Sequence, residues 1–248
     1  MEGFSAVNQA VANWSANNTD SKATILLAYT ASFTDEPSVS TSLLYDAPMQ
    51  PDGIFDEFFT LPGADSSITG VFGLPEVLQI FNGALGALNP PRTARHTVPV
   101  SRYTPGILGE MTTQVERIFT EARAENRSTL LLSFVPEPFL QPNVRSTDSA
   151  YPNPPGRFVC PTALEAHWND PADDEFFVNA VRDAQQAIHA RTIEEGQGFP
   201  DDILYNNYAP AGTPLELLYG DNLERLRQIK RRIDPENVMG LSGGFKIE

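Results

Sequence analysis

The sequence predicts an α+β fold: an antiparallel β-sheet covered by helices on one face, ending in a C-terminal helix and an extended tail. Three observations predict it. Residues 24–46 hold two β-prone runs around a polar turn, the pattern of a hairpin. Apolar stripes at helical spacing alternate with isolated strand-like runs, and hairpins with intervening helices favour helices on one side of an antiparallel sheet. The chain closes on a basic amphipathic stripe and a glycine-punctuated run, Gly240 to Ile247.

Taken in order, residues 2–15 read as a helix with Phe4, Val7, Val11 and Trp14 on one face. Thr24–Phe33 and Val39–Asp46 read as paired strands around the turn Thr34–Ser38. Ile54–Leu61 reads as a short helix with Phe55, Phe58 and Phe59 packed inward, and Leu74–Leu85 as a second one. Thr93–Ser101 alternates as a strand in which Pro99 marks an edge or bulge. Pro105–Ala124 is an amphipathic helix with the stripe Ile107, Leu108, Met111, Val115, Ile118 and Phe119. Thr129–Val135 is almost wholly apolar and reads as a central strand. A long proline-rich loop, Gln141–Pro155, follows; such loops in compact domains carry function or move. Phe158–Trp168 reads as a further strand. Asp170–Glu195 reads as a long helix, opened by Asp170-Pro171 and ended by Gly196 and Gly198, with Phe176, Phe177, Val181, Ala184, Ile188 and Ile193 on its buried side. Pro214–Arg232 is expected to be one helix burying Leu215, Leu218, Asn222, Leu226, Ile229 and Ile233, with cations crowding its last turns. Asp234-Pro235 stops it.

Composition narrows the function classes. The chain has 248 residues, 41% of them hydrophobic, enough for a sizeable core. A net charge of −15 argues against nucleic acid as the main partner, because phosphate binding needs a basic face. No apolar run reaches the roughly 18 residues of a membrane-spanning helix. A single cysteine, Cys160, excludes an internal disulfide framework, and its apolar flanks predict a buried, inert thiol. His96, His167 and His189 lie far apart, without the spacing of a metal site. Neither a G-x-G-x-x-G run nor a P-loop occurs. Met1-Glu-Gly-Phe opens without a signal peptide, whereas sequons at Asn13, Asn17 and Asn126 lean toward a secreted origin, so localisation is left unassigned.

The C-terminal stretch carries the most specific pattern. Tyr205-Asn206-Asn207-Tyr208 is followed by Tyr219-Gly220-x-Asn222-Leu-x-Arg225-Leu, then by Lys230, Asp234-Pro235-x-Asn237-Val238, and the ending Gly243-Gly244-Phe245-Lys246-Ile247. This run resembles the C-terminal segment of berberine-bridge-enzyme-like, FAD-linked oxidases of the vanillyl-alcohol-oxidase/PCMH group, and its ending resembles the fungal branch. The resemblance implies a substrate-binding α+β domain over residues 1–200 and a berberine-bridge-like segment over 201–248. It also implies FAD, bound mainly by an N-terminal domain absent from this chain, a small-molecule substrate, and O2 as electron acceptor. The substrate class implied is an alcohol, sugar or secondary metabolite.

An oxidase of this type needs a base for the substrate proton. The resemblance implies Tyr205 for that role, with Asn207 and Tyr208 facing substrate or flavin. A tyrosine needs a nearby cation or donor to act so, since its free pKa is about 10. The other reading of this cluster is a polar strand end whose tyrosines donate to backbone carbonyls. Ser133 is the polar candidate that the central strand offers to the pocket. Glu137, between two prolines, is expected to be exposed, His96 to be a core or surface histidine, and Trp168 to be core. Asn222 and Arg225 are expected to fix the last helix against the tail. A second reading of the whole chain is a non-catalytic α+β module, derived from such an oxidase, that binds a small molecule or a partner.

Overall fold

The computed structural model describes residues 2–65, 68–86, 89–139, 149–152, 159–199 and 202–248. Most of the long loop expected at Gln141–Pro155 lies outside the described residues. The elements follow as α1 (Glu2–Asn17), β1 (Ala23–Ala31), β2 (Ser38–Tyr45), α2 (Asp56–Phe59), α3 (Leu74–Gly86), β3 (Arg92–Thr97), α4 (Pro105–Ala124), β4 (Thr129–Pro136), β5 (Thr162–Trp168), α5 (Asp174–Glu194), α6 (Glu216–Tyr219) and α7 (Leu223–Ile233). Among the described residues the strands form one antiparallel sheet in the order β2-β1-β4-β5-β3. The apolar run of β4 is the middle strand, paired with β1 on one side and β5 on the other. Pro99 stands where the edge strand breaks: pairing stops at Thr97 and resumes as a single bridge between Val100 and Cys160.

Side chains alternate across the sheet, so register decides which residues share a face. Ile25, Leu27, Tyr29 and Ala31 of β1, Leu132 and Phe134 of β4, and Leu164, Ala166 and Trp168 of β5 are all buried against the helices. Helix α4 lies over β1 and β4, α5 over β3 and β5, and α1 packs on α4. The predicted stripe of α4 is buried throughout. Thr104 caps this helix by accepting from the Ile107 N–H at 3.1 Å. The Trp168 ring stacks on Phe177, and its N–H donates to Asp174 at 2.9 Å, which fixes the turn from β5 into α5 as core.

Five expectations need correction. Phe59 and Ile193 are exposed, at 56% and 56%: α2 is a single turn that buries Phe55 and Phe58, and Ile193 falls on the outer side of α5 as it ends. The helix expected over Pro214–Arg232 is broken. Gly220 adopts φ +47°, which ends α6, and a 3-10 turn at Gly220–Asn222 leads into α7. Its stripe is buried only in part: Leu218 is covered, Leu215, Asn222 and Leu226 are half-buried, and Ile229 and Ile233 are exposed. Asn222 donates to the carbonyls of Ser149 and Ala150, not to the tail.

Candidate functional site

The face of the sheet away from the helices carries a polar row. Ser38, Thr30, Ser133, Glu165 and Arg95 occupy matching positions on β2, β1, β4, β5 and β3. Thr30 and Ser38 hydroxyls lie 3.2 Å apart, and Arg95 Nε is 2.6 Å from Glu165 Oε1. Glu165 Oε2 lies 3.2 Å from His167 Nε2, and His167 Nδ1 lies 3.0 Å from the Thr93 hydroxyl. Ser133 thus faces the polar side of the sheet and is buried there. His96 pairs in register with Leu164 and lies on the helix side, where burial lowers its pKa.

The Tyr205–Tyr208 stretch is a turn, closed by hydrogen bonds from the Tyr208 and Ala209 N–H groups to the Tyr205 carbonyl. It lies against the polar face at the end of β4. The Tyr205 and Tyr208 rings meet edge to face at 5.0 Å, and Tyr151 meets Tyr205 the same way at 5.9 Å. Asn207 Nδ2 donates to the Tyr205 hydroxyl at 2.7 Å. The Tyr208 hydroxyl donates to Glu137 Oε1 at 2.7 Å. Arg95 lies over the Tyr208 ring, 5.9 Å from its centroid, and Nη1 donates to the Asn207 carbonyl at 3.4 Å.

Glu137 is therefore buried, at 7% exposure, against the expectation of an exposed side chain between prolines. The reason is its place: it continues the parity of Ser133 and Val135 past the end of β4, onto the polar face, where Tyr208 covers it. Its backbone N–H donates to the Tyr103 hydroxyl at 3.0 Å. Burial pushes the Glu137 carboxyl up to about 7; the Tyr208 hydrogen bond pulls it down and the charge of Glu165 pushes it up. Burial opposes ionisation of Glu165 too, but the bonds from His167 and Arg95 outweigh it and hold that carboxyl below its ordinary range. The Tyr208 phenol is raised, first by burial and then by the carboxylate it donates to. Cys160 is buried, with its thiol pushed up to about 12 by burial, in keeping with an inert side chain.

Tyr205, Asn207 and Tyr208 share one turn, and Ser133 lies in the polar row. Sequence reasoning set Glu137 aside, and it missed Arg95, Glu165 and His167 as site residues. The parity of Glu137 with Ser133 was the available signal; the cross-strand pairing of Arg95 and Glu165 needs a register that the sequence does not print. Among the described residues no group of acidic, histidine and cysteine side chains is arranged to hold a metal ion.

Comparison with known proteins adds to this geometry. The family model described as Berberine and berberine like matches residues 204–242, the span of the aromatic turn, α6, α7 and the start of the tail. Over that segment the chain is similar to the berberine-bridge-like family. A curated relative, the FAD-dependent monooxygenase drtC of Aspergillus calidoustus, is 37% identical over 92 residues, which is 34% of this chain and 16% of that protein. Two solved structures share the fold. The berberine-bridge-like protein 1 of Physcomitrella patens matches with a TM-score of 0.64 at 13% identity, over 99% of this chain and 51% of that one. The glycopeptide hexose oxidase DBV29, complexed with teicoplanin, matches at 0.63 and 16%, over 100% and 52%. The chain thus spans about half the length of these structural relatives, 51% and 52%. No helix among the described residues is long and apolar enough to cross a membrane.

Proposed function

We propose that this chain is the substrate-binding half of an FAD-dependent oxidase that converts a carbinol, on an alcohol, sugar or secondary metabolite, to a carbonyl. The observation that carries this reading is the 2.7 Å hydrogen bond from Tyr208 to Glu137, a buried carboxyl with a pKa of about 7. A general base works best with a pKa near the operating pH, and burial has moved Glu137 there.

The donor set fits the substrate side of a flavin oxidation: one tuned carboxyl, two phenols and an amide converge at one end of the polar face. When bound, FAD would supply an acceptor for the hydride of the substrate carbon, with O2 as the electron acceptor. The chain's own residues manage the proton and the pose. Tyr205, Asn207 and Tyr208 hold the substrate hydroxyl at the mouth of the site, with Ser133 in the polar row beside it. The proton leaving that hydroxyl passes at the tyrosine edge to the Glu137 carboxylate. Tyr205, implied by the family motif as the base, then acts as the contact residue, with Asn207 fixing its hydroxyl. Glu137, through Tyr208, is the acceptor. The likeness in fold to DBV29, a glycopeptide hexose oxidase, supports a hydroxylated substrate.

The test is an absorbance spectrum of the purified intact protein, followed by turnover of wild type and Glu137→Gln on a panel of alcohols and sugars. A flavin spectrum with turnover that collapses in the variant supports the reading. A colourless protein that binds small molecules unchanged by the substitution replaces it with the non-catalytic module.

A further inference from the structure

Arg95 holds three contacts that join distant parts of the chain. Its Nε meets Glu165 at 2.6 Å, its Nη1 reaches the Asn207 carbonyl at 3.4 Å, and its guanidinium carbon lies 5.9 Å from the centre of the Tyr208 ring. The first contact is to the sheet and the other two are to the aromatic turn. Glu165 is the fixed end: its side chain is 12% exposed, that of Arg95 42%. It is anchored in turn by His167, which is held by Thr93. The turn's internal bonds give it shape but do not dock it. Among the described residues, Arg95 and the Tyr208–Glu137 bond tie the turn to the sheet. Only a planar guanidinium can pair with a carboxylate, donate sideways to a carbonyl and lie on a ring at the same time.

We propose that Arg95 is a positioning residue: it fastens the Tyr205–Tyr208 turn to the sheet and so places the Tyr208 hydroxyl on Glu137. This rests on the reading of Glu137 and Tyr208 as the proton-handling pair. The titratable groups around Glu137 are Tyr208 of the turn, Tyr103 ahead of α4, Cys160 ahead of β5 and Glu165 on β5. Of these, Tyr208 is the one that donates to its carboxylate. Arg95 acts on Glu137 by keeping that donor in place.

The experiment follows two signals in the intact protein: the carbon-13 titration of Glu137, assigned by its loss in Glu137→Gln, and amide exchange at Tyr208 and Ala209. In Arg95→Met the Glu137 midpoint is expected to rise by on the order of one unit, because the carboxylate loses its donor. Exchange at Tyr208 and Ala209 is expected to speed up about tenfold or more, with β4 and β5 amides unchanged. Arg95→Lys, which keeps the charge without the planar fork, should recover part of both. Wild-type titration and exchange in Arg95→Met would overturn the proposal and leave Arg95 a surface ion pair. Should Arg95→Met not fold, exchange at Tyr208 and Ala209 in Arg95→Lys and Glu165→Gln decides: faster in both supports the proposal, unchanged in either overturns it. Tyr208→Phe separates this from the underlying reading. If that variant leaves the Glu137 midpoint in place, the proton-handling pair fails, and the exchange rates alone judge Arg95.

Discussion

The Tyr208 hydroxyl donates to the Glu137 carboxylate at 2.7 Å, joining residues 71 apart in the chain. A phenol raised by burial beside a carboxyl raised to about 7 means that the shared proton rests on the tyrosine while the carboxylate accepts it. Glu137→Gln keeps an acceptor oxygen for Tyr208 but can no longer take a proton. Turnover is expected to fall by roughly 10²- to 10⁴-fold, the usual contribution of a general base. KM should change little. Tyr208→Phe should move the alkaline-rising limb of the pH–rate profile to higher pH, since the hydrogen bond it removes favours the ionised form. A profile that stays in place, with a lower plateau only, would assign Tyr208 to substrate binding alone.

Glu137 also makes a stability prediction with a definite sign. Its folded-state pKa of about 7 lies above the ordinary 4.5, so the folded protein binds this proton more tightly than the unfolded chain. Stability contributed by this group is full below pH of about 4.5, falls as pH rises toward about 7, and stays low above it. The loss is on the order of 3 kcal/mol. Glu137→Gln abolishes the slope, so denaturant midpoints of the variant should exceed those of wild type at pH 8 and match them near pH 5. Parallel curves for the two proteins would show that Glu137 titrates as an ordinary carboxyl.

The fold was legible because its helices and strands have clean periods. The stripe of α4 and the run of β4 give their own boundaries to within a residue or two, and Pro99 announces the break in the edge strand. The resemblance drew attention to the Tyr205–Tyr208 cluster, but not to its being a turn. What failed was whatever depends on two distant pieces meeting. Glu137 looks exposed between Pro136 and Pro138 until Tyr208 is laid over it. Arg95 and Glu165 are ordinary charges until β3 and β5 are set in register. The break of the last helix has another origin: its apolar spacing runs straight through Gly220, and only the positive φ at that residue shows that the chain turns there.

Asp173 is the structural counterpart of the polar site, at the other end of the sheet. It is buried at 7% exposure and accepts from the Ser128 N–H at 2.8 Å, the Ser128 hydroxyl at 2.6 Å and Arg127 at 3.0 Å. Burial opposes its ionisation, but the Ser128 bonds and Arg127 prevail and hold its carboxyl below the ordinary range. Asp173→Ala leaves these donors without their acceptor where β4 begins and α5 starts. A loss of about 2–4 kcal/mol in equilibrium unfolding is expected. The pH sign is opposite to that of Glu137: this stabilisation is present above the unfolded carboxyl pKa and is lost as pH falls through the lower folded one. Wild type and Asp173→Asn should therefore converge in stability as the solution is acidified. A gap that persists unchanged at acid pH would show that the aspartate contributes by packing.

Gly220 tests whether the aromatic turn depends on the helix break behind it. Its φ of +47° is in the region where a side chain is strained, and a Cβ there would meet Ile203 at 3.1 Å and Pro152 at 3.7 Å. Those two neighbours flank the site: Pro152 follows Tyr151, which packs on Tyr205, and Ile203 leads into the turn through Leu204, whose N–H donates to the Leu217 carbonyl at 2.7 Å. Gly220→Ala is expected to cost about 1–2 kcal/mol of stability through backbone strain. It should also loosen the Tyr151–Tyr205–Tyr208 stack, seen as a changed near-ultraviolet tyrosine signal and a rise in KM larger than the fall in kcat. A variant that loses the stability but keeps both the tyrosine signal and KM would show that the turn is docked by Arg95 and Glu137 without help from the break at Gly220.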